Sequence, residues 1–483
     1  MDLDAVIDGC LLASFRGPDA PVWLLRRLEG GLGGVCLFGD NIADAGRVAE
    51  LTSALRSAAG APVVAADEEG GDVTRLEMAT GSSYPGNAAL GTVDDEALTH
   101  AVAASIGAEL AAAGVTLDLA PCVDVNSNPA NPVIGVRSFG SDPGLVGRHG
   151  AAFVRGLHAA GVAACAKHFP GHGDTAEDSH LDLPVVRQPI EVLRERELAP
   201  FRDVVAAGVD AVMTSHVVLP ALDDRPATMS RRVLVGLLRG ELGFRGAIVT
   251  DALDMKGASG TRSIGEAGVA ALAAGADLLC LGAGQDESVL DHVHAAVAGA
   301  VADGRLDEVR VAEAADRAAR LGAAPPGPPS PVDREVGRAA ARRALRIAGA
   351  LATPCRGAHV VELRPDPCIA AGEVPWGLGP ALQALDPDVT VTAVRPGEGI
   401  ERALEATSGE RPLVVVVRDR QCHTWQGGHL ERLVAARPDA IVVDLGWPCA
   451  PLPAVRTWIT THGASRSSAE AAAELLTRGA SRG

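Results

Sequence analysis

Short apolar runs, separated by stretches with helical spacing, recur through the first 320 residues of the chain. Seven of these runs have the length and composition of buried strands, at positions 34–38, 62–66, 115–120, 162–166, 211–214, 247–250 and 277–281. The stretches between them, such as 190–207 and 306–321, are rich in Ala, Leu, Arg and Glu. Continuous apolar strands that alternate with helices are typical of parallel βαβ units, in which helices cover both faces of the sheet.

Seven such strands predict a (β/α)8 barrel of the TIM type in residues 1–322, with one strand not recognised; an open doubly wound sheet is the structural alternative. The positions of polar residues favour the barrel, because polar side chains follow four of the predicted strands directly. They are Asp67, Lys167 with His168, Ser215 with His216, and Asp251. The carboxyl ends of barrel strands form the catalytic face, so we expect these side chains to converge there.

A proline-rich segment, 323–333, predicts a stiff extended linker. Beyond it, residues 334–483 predict a smaller α/β domain with an open parallel sheet, which we expect to be non-catalytic. Its predicted strands are 359–363, 389–394, 413–417, 441–445 and 458–461. His423, Trp425 and His429 stand out in this domain, and we expect them to have surface or packing roles.

The charge of the chain restricts its partners. The 483 residues include 43 Lys and Arg against 61 Asp and Glu, for a net charge of −18. A nucleic acid or an anionic membrane surface requires a basic protein surface, so neither is an expected partner. An uninterrupted apolar run of about 18 residues, the minimum for a membrane span, does not occur in the sequence. The first residues are acidic where a secretory signal is basic and then apolar.

The nine cysteines are scattered and never have the C-x-x-C spacing. This distribution predicts reduced, mostly buried thiols in a cytoplasmic protein, rather than a disulfide framework or a zinc site. The sequence assigns no oligomeric state.

The stretch 167–180 contains three histidines, two aspartates and a lysine, and it directly follows a predicted strand. It reads Lys-His-Phe-Pro-Gly-His-Gly-Asp-Thr-Ala-Glu-Asp-Ser-His. Ordering such a long polar loop costs conformational entropy, and binding and catalytic residues are concentrated on loops of this kind. We therefore predict an active-site loop at the catalytic face.

Within this loop Asp178 precedes His180 by two residues. A carboxylate that binds one ring nitrogen fixes the tautomer of a histidine and raises its pKa, which makes the histidine a proton shuttle suited to neutral pH. The alternative is a surface aspartate and histidine that never meet, since Asp-x-His is a short motif.

Asp251 is the candidate nucleophile. A carboxylate at the end of a barrel strand attacks an electrophilic carbon, binds a metal, or caps the next helix, and the residue alone leaves all three roles open. Asp254 lies three residues further on and competes for the same roles.

A metal site is a further alternative for the loop. Its histidines and aspartates are ligand types that suit zinc or iron: His168, His172, Asp174, Asp178 and His180. However, the spacing lacks the helical i, i+4 histidine pair, and Lys167 would repel a cation. We therefore expect neither a metal nor another cofactor.

Several polar residues suit the hydroxyl groups of a sugar ring. These residues are Asp67, Arg75, Arg137, Lys167 and His168. Glycines beside the two arginines allow the backbone to approach a ligand closely. The chain has only seven Phe, five Trp and one Tyr. This scarcity indicates a small saccharide bound by polar groups rather than a long polysaccharide on an aromatic platform.

Five ordered motifs together resemble glycoside hydrolase family 3, specifically its β-N-acetylglucosaminidase branch in the two-domain form. The motifs are 33–41, 67–75, 131–140, the loop 167–180 and the pair Thr250-Asp251. The loop motif is highly specific to that branch, and the match runs in order over most of residues 1–320.

The resemblance implies a role for each matching position. Asp251 matches the catalytic nucleophile, His180 the general acid/base, and Asp178 its supporting carboxylate. The residues that match ligands of the terminal N-acetylglucosamine are Asp67, Arg75, Arg137, Lys167 and His168. The mechanism implied is retaining, through a covalent glycosyl-enzyme at Asp251.

The function implied is a cytoplasmic exo-β-N-acetylglucosaminidase acting on small glycans, either peptidoglycan fragments or chitooligosaccharides. One alternative is a β-N-acetylglucosaminide phosphorylase, because a histidine, unlike a carboxylate, does not repel phosphate. A second is a catalytically inactive sugar-binding or sensing protein, and a third is a plain β-glucosidase.

Two positions depart from the family pattern. Asp72 stands where many relatives have arginine, and Glu68 stands where glutamine is common. Both flank the expected sugar ligands, so they bear on fine specificity. Asp67 and Arg75 themselves match.

Overall fold

The computed structural model describes residues 2–59, 61–176, 183–260, 262–322, 331–351, 354–375, 377–406 and 409–478. The chain forms two compact units. The first comprises Met1–Glu69, Thr99–Asn128 and Gly140–Val332, and the second comprises Gly70–Leu98, Pro129–Phe139 and Asp333–Gly483. Two internal segments thus group with the C-terminal residues. The domain limits expected from the sequence, 1–322 and 334–483 with a linker at 323–333, stay a prediction.

The first unit is built on eight parallel strands. They are β1 (Leu11–Ala13), β2 (Gly34–Leu37), β3 (Val63–Ala66), β4 (Leu117–Asp118), β5 (Ala163–Phe169), β6 (Ala211–Thr214), β7 (Ala247–Val249) and β8 (Leu279–Cys280). Their order is β7-β6-β5-β4-β3-β2-β1-β8, and a parallel bridge between Val249 and Leu278 joins the two ends of that order. The predicted (β/α)8 barrel is confirmed, and β1 is the strand that the sequence did not reveal.

Helices follow the strands in turn. Up to residue 322 they are α1 (Leu3–Asp8), α2 (Val22–Glu29), α3 (Ala45–Ala59), α4 (Asn87–Val93), α5 (Glu96–Ala112), α6 (Pro143–Ala159), α7 (Ile190–Val192), α8 (Ala199–Ala206), α9 (Lys256–Ser259), α10 (Ile264–Ala274), α11 (Glu287–Ala302) and α12 (Glu308–Gly322). Two π-helical segments, Leu193–Glu197 and Arg232–Glu241, complete the ring. Helix α4 belongs to the second unit.

Alternate strand residues fill the barrel. Val63 and Ala65 of β3 and Ala163 and Cys165 of β5 belong to one buried cluster, to which all eight strands or their immediate neighbours contribute. Successive side chains of a strand point to opposite faces, so the residues between them face the helices. The interior of the barrel is therefore a packed core rather than a pore. The polar residues that follow the strands lie at one end of this core.

The second unit contains a six-stranded sheet. Its strands are β9 (Arg346–Gly349), β10 (His359–Leu363), β11 (Thr390–Val394), β12 (Leu413–Val417), β13 (Ile441–Asp444) and β14 (Thr457–Thr460), in the order β11-β10-β12-β13-β14-β9. Its helices beyond residue 333 are α13 (Arg334–Ala344), α14 (Gly379–Leu385), α15 (Glu401–Ala406), α16 (Trp425–Ala436) and α17 (Arg466–Arg478). The five predicted strands, β10 to β14, are parallel.

The expectation of a purely parallel sheet is corrected by β9, which pairs with β14 in the antiparallel direction. All four residues of β9 are exposed, so it lacks the apolar run that identifies the central strands. In β12, by contrast, Val414 and Val416 pack in one buried cluster and Val415 and Val417 in another. Helices thus cover both faces of the parallel part of the sheet.

Two sequence features of the second unit have packing roles. The rings of Trp425 and His429 on α16 meet edge to face, with centroids 5.5 Å apart. Nε2 of His429 lies 3.2 Å from the carbonyl oxygen of Glu398.

None of the helices in the described part of the chain has both the length and the apolar character that crossing a membrane requires.

Candidate active site

A buried lysine between two carboxylates lies at the carboxyl ends of β3 and β5. Nζ of Lys167 is 2.7 Å from Oδ1 of Asp67 and 2.7 Å from Oε1 of Glu69. The lysine and Glu69 side chains are each 2% exposed, whereas the Asp67 side chain is 17% exposed. The buried ammonium group is thus paired with two carboxylates. Asp67 is therefore the carboxylate of this group that a hydroxyl from solvent or substrate can reach.

His168 follows Lys167 on β5 and pairs with a carboxylate that follows β4. Nδ1 of His168 lies 2.7 Å from Oδ2 of Asp124. The other oxygen of Asp124 accepts the backbone N–H of His172 at 2.7 Å. Since Asp124 accepts at Nδ1, this contact fixes the orientation and the tautomer of the His168 ring.

The charges in this group follow from its hydrogen bonds. Burial opposes ionisation of Asp124, but the nearby charge and hydrogen bond of His168, with a smaller contribution from His172, lower the pKa of Asp124 to about 2. Burial lowers the pKa of His172 to about 4, and the charge on Asp124 opposes that shift. Near neutral pH the structure therefore combines an ionised Asp124 with a neutral His172.

Asp251 follows β7 by two residues and is half-buried. Its Oδ1 accepts the N–H of the next residue, Ala252, at 2.8 Å. The next helix, α9, has Met255 at its N-cap position, so Asp251 does not cap it. The capping alternative is excluded for this residue, and the carboxylate stays at the catalytic end of the barrel.

The turn that carries Asp251 is held by a buried histidine that follows β6. Nε2 of His216 lies 3.0 Å from the carbonyl oxygen of Ala252, and its Nδ1 lies 2.9 Å from Oγ1 of Thr228. Asp254 instead accepts Nε2–H of Gln285 at 3.0 Å, in the segment after β8. The two aspartates of this turn therefore have different surroundings.

Arg75 and Arg137 belong to the second unit. Nη2 of Arg75 donates to the carbonyl oxygen of Ala370 at 3.1 Å. Nη1 of Arg137 donates to the carbonyl oxygen of Val133 at 3.2 Å, and the Arg137 carbonyl accepts from Nδ2 of Asn87 at 2.7 Å. Each arginine is 8% exposed, so neither is a freely solvated surface cation.

Asp178 and His180 lie outside the described residues. Asp174, which precedes these two residues in the chain, contacts residues that follow them. Its Oδ2 accepts hydrogen bonds from Nε2 of Gln188 and from Nη2 of Arg196, each at 2.8 Å. Arg196 also pairs with its neighbour Glu197 at 2.6 Å. Burial raises the pKa of Glu197 to about 7, although the charge of Arg196 opposes that shift.

The residues considered for a metal site have other partners where the structure describes them. Asp174 pairs with Arg196, and Nδ1 of His172 lies 2.8 Å from Oγ1 of Thr175. The ligand atoms of Cys122, Asp124 and His168 lie within 4.8 Å of one another. In that group the thiol of Cys122 donates a hydrogen bond to Oδ2 of Asp124 at 3.2 Å, and Nδ1 of His168 contacts the same oxygen.

Sequence reasoning missed Glu69 and Asp124 as parts of this site, whereas His216 was among the polar residues expected at the catalytic face. Asp124 follows β4, so the criterion that identified Asp67 and Asp251, a polar residue after a strand, applies to it as well. Glu69 lies two residues after Asp67, and its side chain turns back to Lys167.

Comparison with known proteins supplies a family. Residues 26–321 match the model described as the glycosyl hydrolase family 3 N terminal domain. "Beta-hexosaminidase A" of Pseudoalteromonas piscicida is 37% identical over 316 residues, which are 60% of this chain and 53% of that protein. This chain thus spans about half the length of that relative. A "Beta-hexosaminidase" of Xylella fastidiosa strain 9a5c is 40% identical over 252 residues, 51% of this chain and 75% of that protein.

A solved structure is similar over both units. It is described as a glycoside hydrolase family 3 β-N-acetylglucosaminidase from Paenibacillus sp. strain FPU-7. The two chains are 34% identical, with a TM-score of 0.90, and the match covers 100% of this chain and 97% of the other.

Proposed function

The chain belongs to glycosyl hydrolase family 3, and from that premise we propose that it is a retaining exo-β-N-acetylglucosaminidase. The observation that carries the proposal is the composition of the catalytic end of the barrel. This end combines the half-buried carboxylate Asp251 with the charged pair of Lys167 and Asp67 and the oriented ring of His168. A carboxylate beside fixed polar groups suits nucleophilic attack on a sugar whose hydroxyls are held in place.

In the first step Asp251 attacks the anomeric carbon, and the bond from that carbon to the leaving oxygen breaks. His180 gives its proton to this oxygen, so the leaving group departs as an alcohol. In the second step His180 takes a proton from water, whose oxygen attacks the anomeric carbon and releases Asp251. Asp178 supports the imidazolium that forms. Two displacements at one carbon retain its configuration.

The sugar ligands are Asp67, Arg75, Arg137, Lys167 and His168. Asp67 suits this role because it is the more exposed of the two carboxylates on Lys167, and a carboxylate accepts two hydroxyl hydrogen bonds. His168 suits it because Asp124 fixes its ring. The arguments for Asp67 and His168 rest on different contacts, so a substitution at either residue tests its role separately.

The substrates proposed are small glycans with a non-reducing terminal N-acetylglucosamine, such as peptidoglycan fragments or chitooligosaccharides. The similar structure described as a β-N-acetylglucosaminidase supports the acetamido sugar. All nine cysteines are free thiols, six of them buried, which supports a reducing compartment. We therefore place the reaction in the cytoplasm.

The test uses purified protein with 4-nitrophenyl N-acetyl-β-glucosaminide, with and without millimolar phosphate, and identifies the sugar released. Free N-acetylglucosamine in both reactions is the expected result. A predominance of the 1-phosphate would make the protein a phosphorylase, with phosphate in place of water in the second step.

Two further arms complete the experiment. The corresponding glucoside, which has a hydroxyl at C2, should be hydrolysed more slowly, and faster hydrolysis of it would refute the acetamido preference. An Asp251→Asn preparation serves as the blank for contaminating activity. Sugar binding without turnover in the wild type would identify an inactive binding protein.

A further inference from the structure

The C-terminal sheet has the topology of a ligand-binding sheet. Its winding reverses between β10 and β12, because β11 lies beyond β10 on one side and β13 and β14 lie beyond β12 on the other. In doubly wound sheets a ligand binds at the carboxyl ends of the strands where the winding reverses. The carboxyl ends of β10 and β12 are therefore where a function of this sheet is expected.

A carboxylate of the chain itself lies at the carboxyl ends of β12 and β14. Oδ2 of Asp72 lies 2.6 Å from Nη2 of Arg418, the first residue after β12. Oδ1 of Asp72 accepts the backbone N–H of Ala464, after β14, at 2.7 Å. The Asp72 side chain is 5% exposed. A buried charge is stable only when it is paired, and Arg418 is the partner that this one requires.

The loop after β10 binds a residue three positions from Asp72. The carbonyl oxygen of Ala370 accepts from Nη2 of Arg75 at 3.1 Å. The residue after β12 and the loop after β10 thus contact the side chains of Asp72 and Arg75, which lie in one short stretch of the same unit.

This stretch folds back on itself, because the N–H of Val73 donates to the carbonyl oxygen of Gly70 at 3.4 Å. The N–H of Gly71 donates to the carbonyl oxygen of Tyr84 at 3.0 Å. Gly71 has a φ of 65°, and a Cβ there would lie 2.4 Å from Cα of Gly86. Only glycine allows this approach.

We propose that Asp72 and Arg418 form a positioning pair, through which the C-terminal sheet orients Arg75 to bind the sugar. This inference rests on the proposed role of Arg75 as a sugar ligand. It gives residues 334–483 a function in substrate affinity without making any of them catalytic. The sheet holds a segment of its own chain where related topologies hold a free ligand.

The experiment measures KM and kcat for the chromogenic β-N-acetylglucosaminide in Asp72→Asn and Arg418→Met. Each substitution removes one charge of a buried pair, so KM should rise about tenfold while kcat stays within about threefold. Arg418→Lys keeps the charge but not the planar guanidinium, so its KM should lie between that of wild type and that of Arg418→Met. The exchange variant Asp72→Arg with Arg418→Asp restores opposite charges and should recover part of the lost affinity.

The control is Arg437→Met. Arg437 pairs with Asp439 at 2.8 Å, and its side chain is 16% exposed, against 14% for Arg418, but it precedes β13 and so belongs to the opposite end of the sheet. It should leave KM unchanged. Equal effects of Arg437→Met and Arg418→Met, or a loss in kcat alone, would overturn the positioning role.

Arg75→Gln separates this inference from the proposed function. If Arg75→Gln raises KM and the two pair variants do not, the positioning pair is wrong and the sugar ligand stands. If Arg75→Gln leaves KM unchanged, the role of Arg75 in the proposed function is wrong.

Discussion

His168 donates from Nδ1 to Oδ2 of Asp124 over 2.7 Å, and the carboxylate that it meets is fully buried. The same carboxylate accepts the backbone N–H of His172, so it fixes both the ring and the first turn of the loop after β5. The low pKa of Asp124 means that the carboxylate keeps its charge across the physiological range. His168 is thus oriented by a carboxylate that stays ionised near neutral pH.

Replacing Asp124 should weaken the sugar site. In Asp124→Asn the amide still fits the space, but the charge that orients His168 is lost. A hydrogen bond to a charged group contributes about 1.5–3 kcal/mol, so kcat/KM should fall about 10- to 100-fold. Steady-state kinetics with the chromogenic substrate measure the change.

The chain offers a matched control for this experiment. His158 and Asp210 also lie 2.7 Å apart, but Asp210 precedes β6 and so belongs to the amino end of the barrel. Asp210→Asn should leave kcat/KM within about threefold of wild type, since it alters a His–Asp pair remote from the catalytic face. A comparable loss in both variants would mean that Asp124 acts only through stability.

Lys167 should be essential for stability as well as for binding. Its side chain lies between Asp67 and Glu69, so Lys167→Met leaves two neighbouring carboxylates without their shared cation. Removing one partner of a buried ion pair costs about 3–5 kcal/mol, and urea unfolding followed by circular dichroism should show a loss of this size. Lys256→Met, at the only other lysine of the chain and an exposed one, should change stability by less than about 0.5 kcal/mol. Adding Glu69→Gln to Lys167→Met removes the repulsion between the two carboxylates and should recover part of the lost stability. No recovery would contradict this repulsion as a cause of the loss.

The barrel was predictable because its central strands are continuous apolar runs. All seven predicted runs overlap a strand, whereas β1 follows α1 after only two residues, so no loop sequence separates it from the helix. In the second sheet, strand β9 was not predicted from the sequence for a different reason. Its residues, Arg-Ile-Ala-Gly, are exposed at a sheet edge, where no burial imposes an apolar pattern.

Position after a strand identified Asp67, Lys167, His168 and Asp251, because a parallel barrel brings these positions to one end. It did not identify their partners. Asp124 is paired with His168 across 44 positions of sequence, and no local pattern encodes such a contact. Asp72 is paired with Arg418, which lies 346 positions away. Pairings of this kind are set by tertiary packing, which a single sequence does not reveal.

His462 should make the second unit sensitive to acid. Burial, together with the charge of Arg346, lowers the pKa of His462 to about 4, and its ring nitrogens have no hydrogen-bond partner in the described structure. The unfolded imidazole takes up a proton below about pH 6.5, whereas the folded one does so only near pH 4. Its contribution to stability is therefore complete above about pH 6.5 and is lost as the pH falls toward 4, by at most about 1.4 kcal/mol per pH unit.

The measurement is urea unfolding between pH 4.5 and 7, followed by tryptophan fluorescence. Four of the five tryptophans lie beyond residue 333, so this signal reports mainly on the second unit. His462 has a φ of 58°, a conformation that asparagine tolerates, so His462→Asn is the appropriate variant. Its unfolding free energy should depend less steeply on pH than that of the wild type, and parallel curves would refute the assignment.

Asp251 should be distinguishable from a merely electrostatic carboxylate by chemical rescue. Asp251→Gly removes the nucleophile and leaves space at the end of β7, so kcat should fall on the order of 10⁴-fold. Added azide should enter that space, attack the anomeric carbon once, and release the leaving group. A single displacement inverts the configuration, so the product should be the α-glycosyl azide, identified by NMR. Asp254→Ala, in the same turn but facing Gln285, should give no azide product. An α-azide from the Asp254 variant, and none from the Asp251 variant, would identify Asp254 as the nucleophile instead of Asp251.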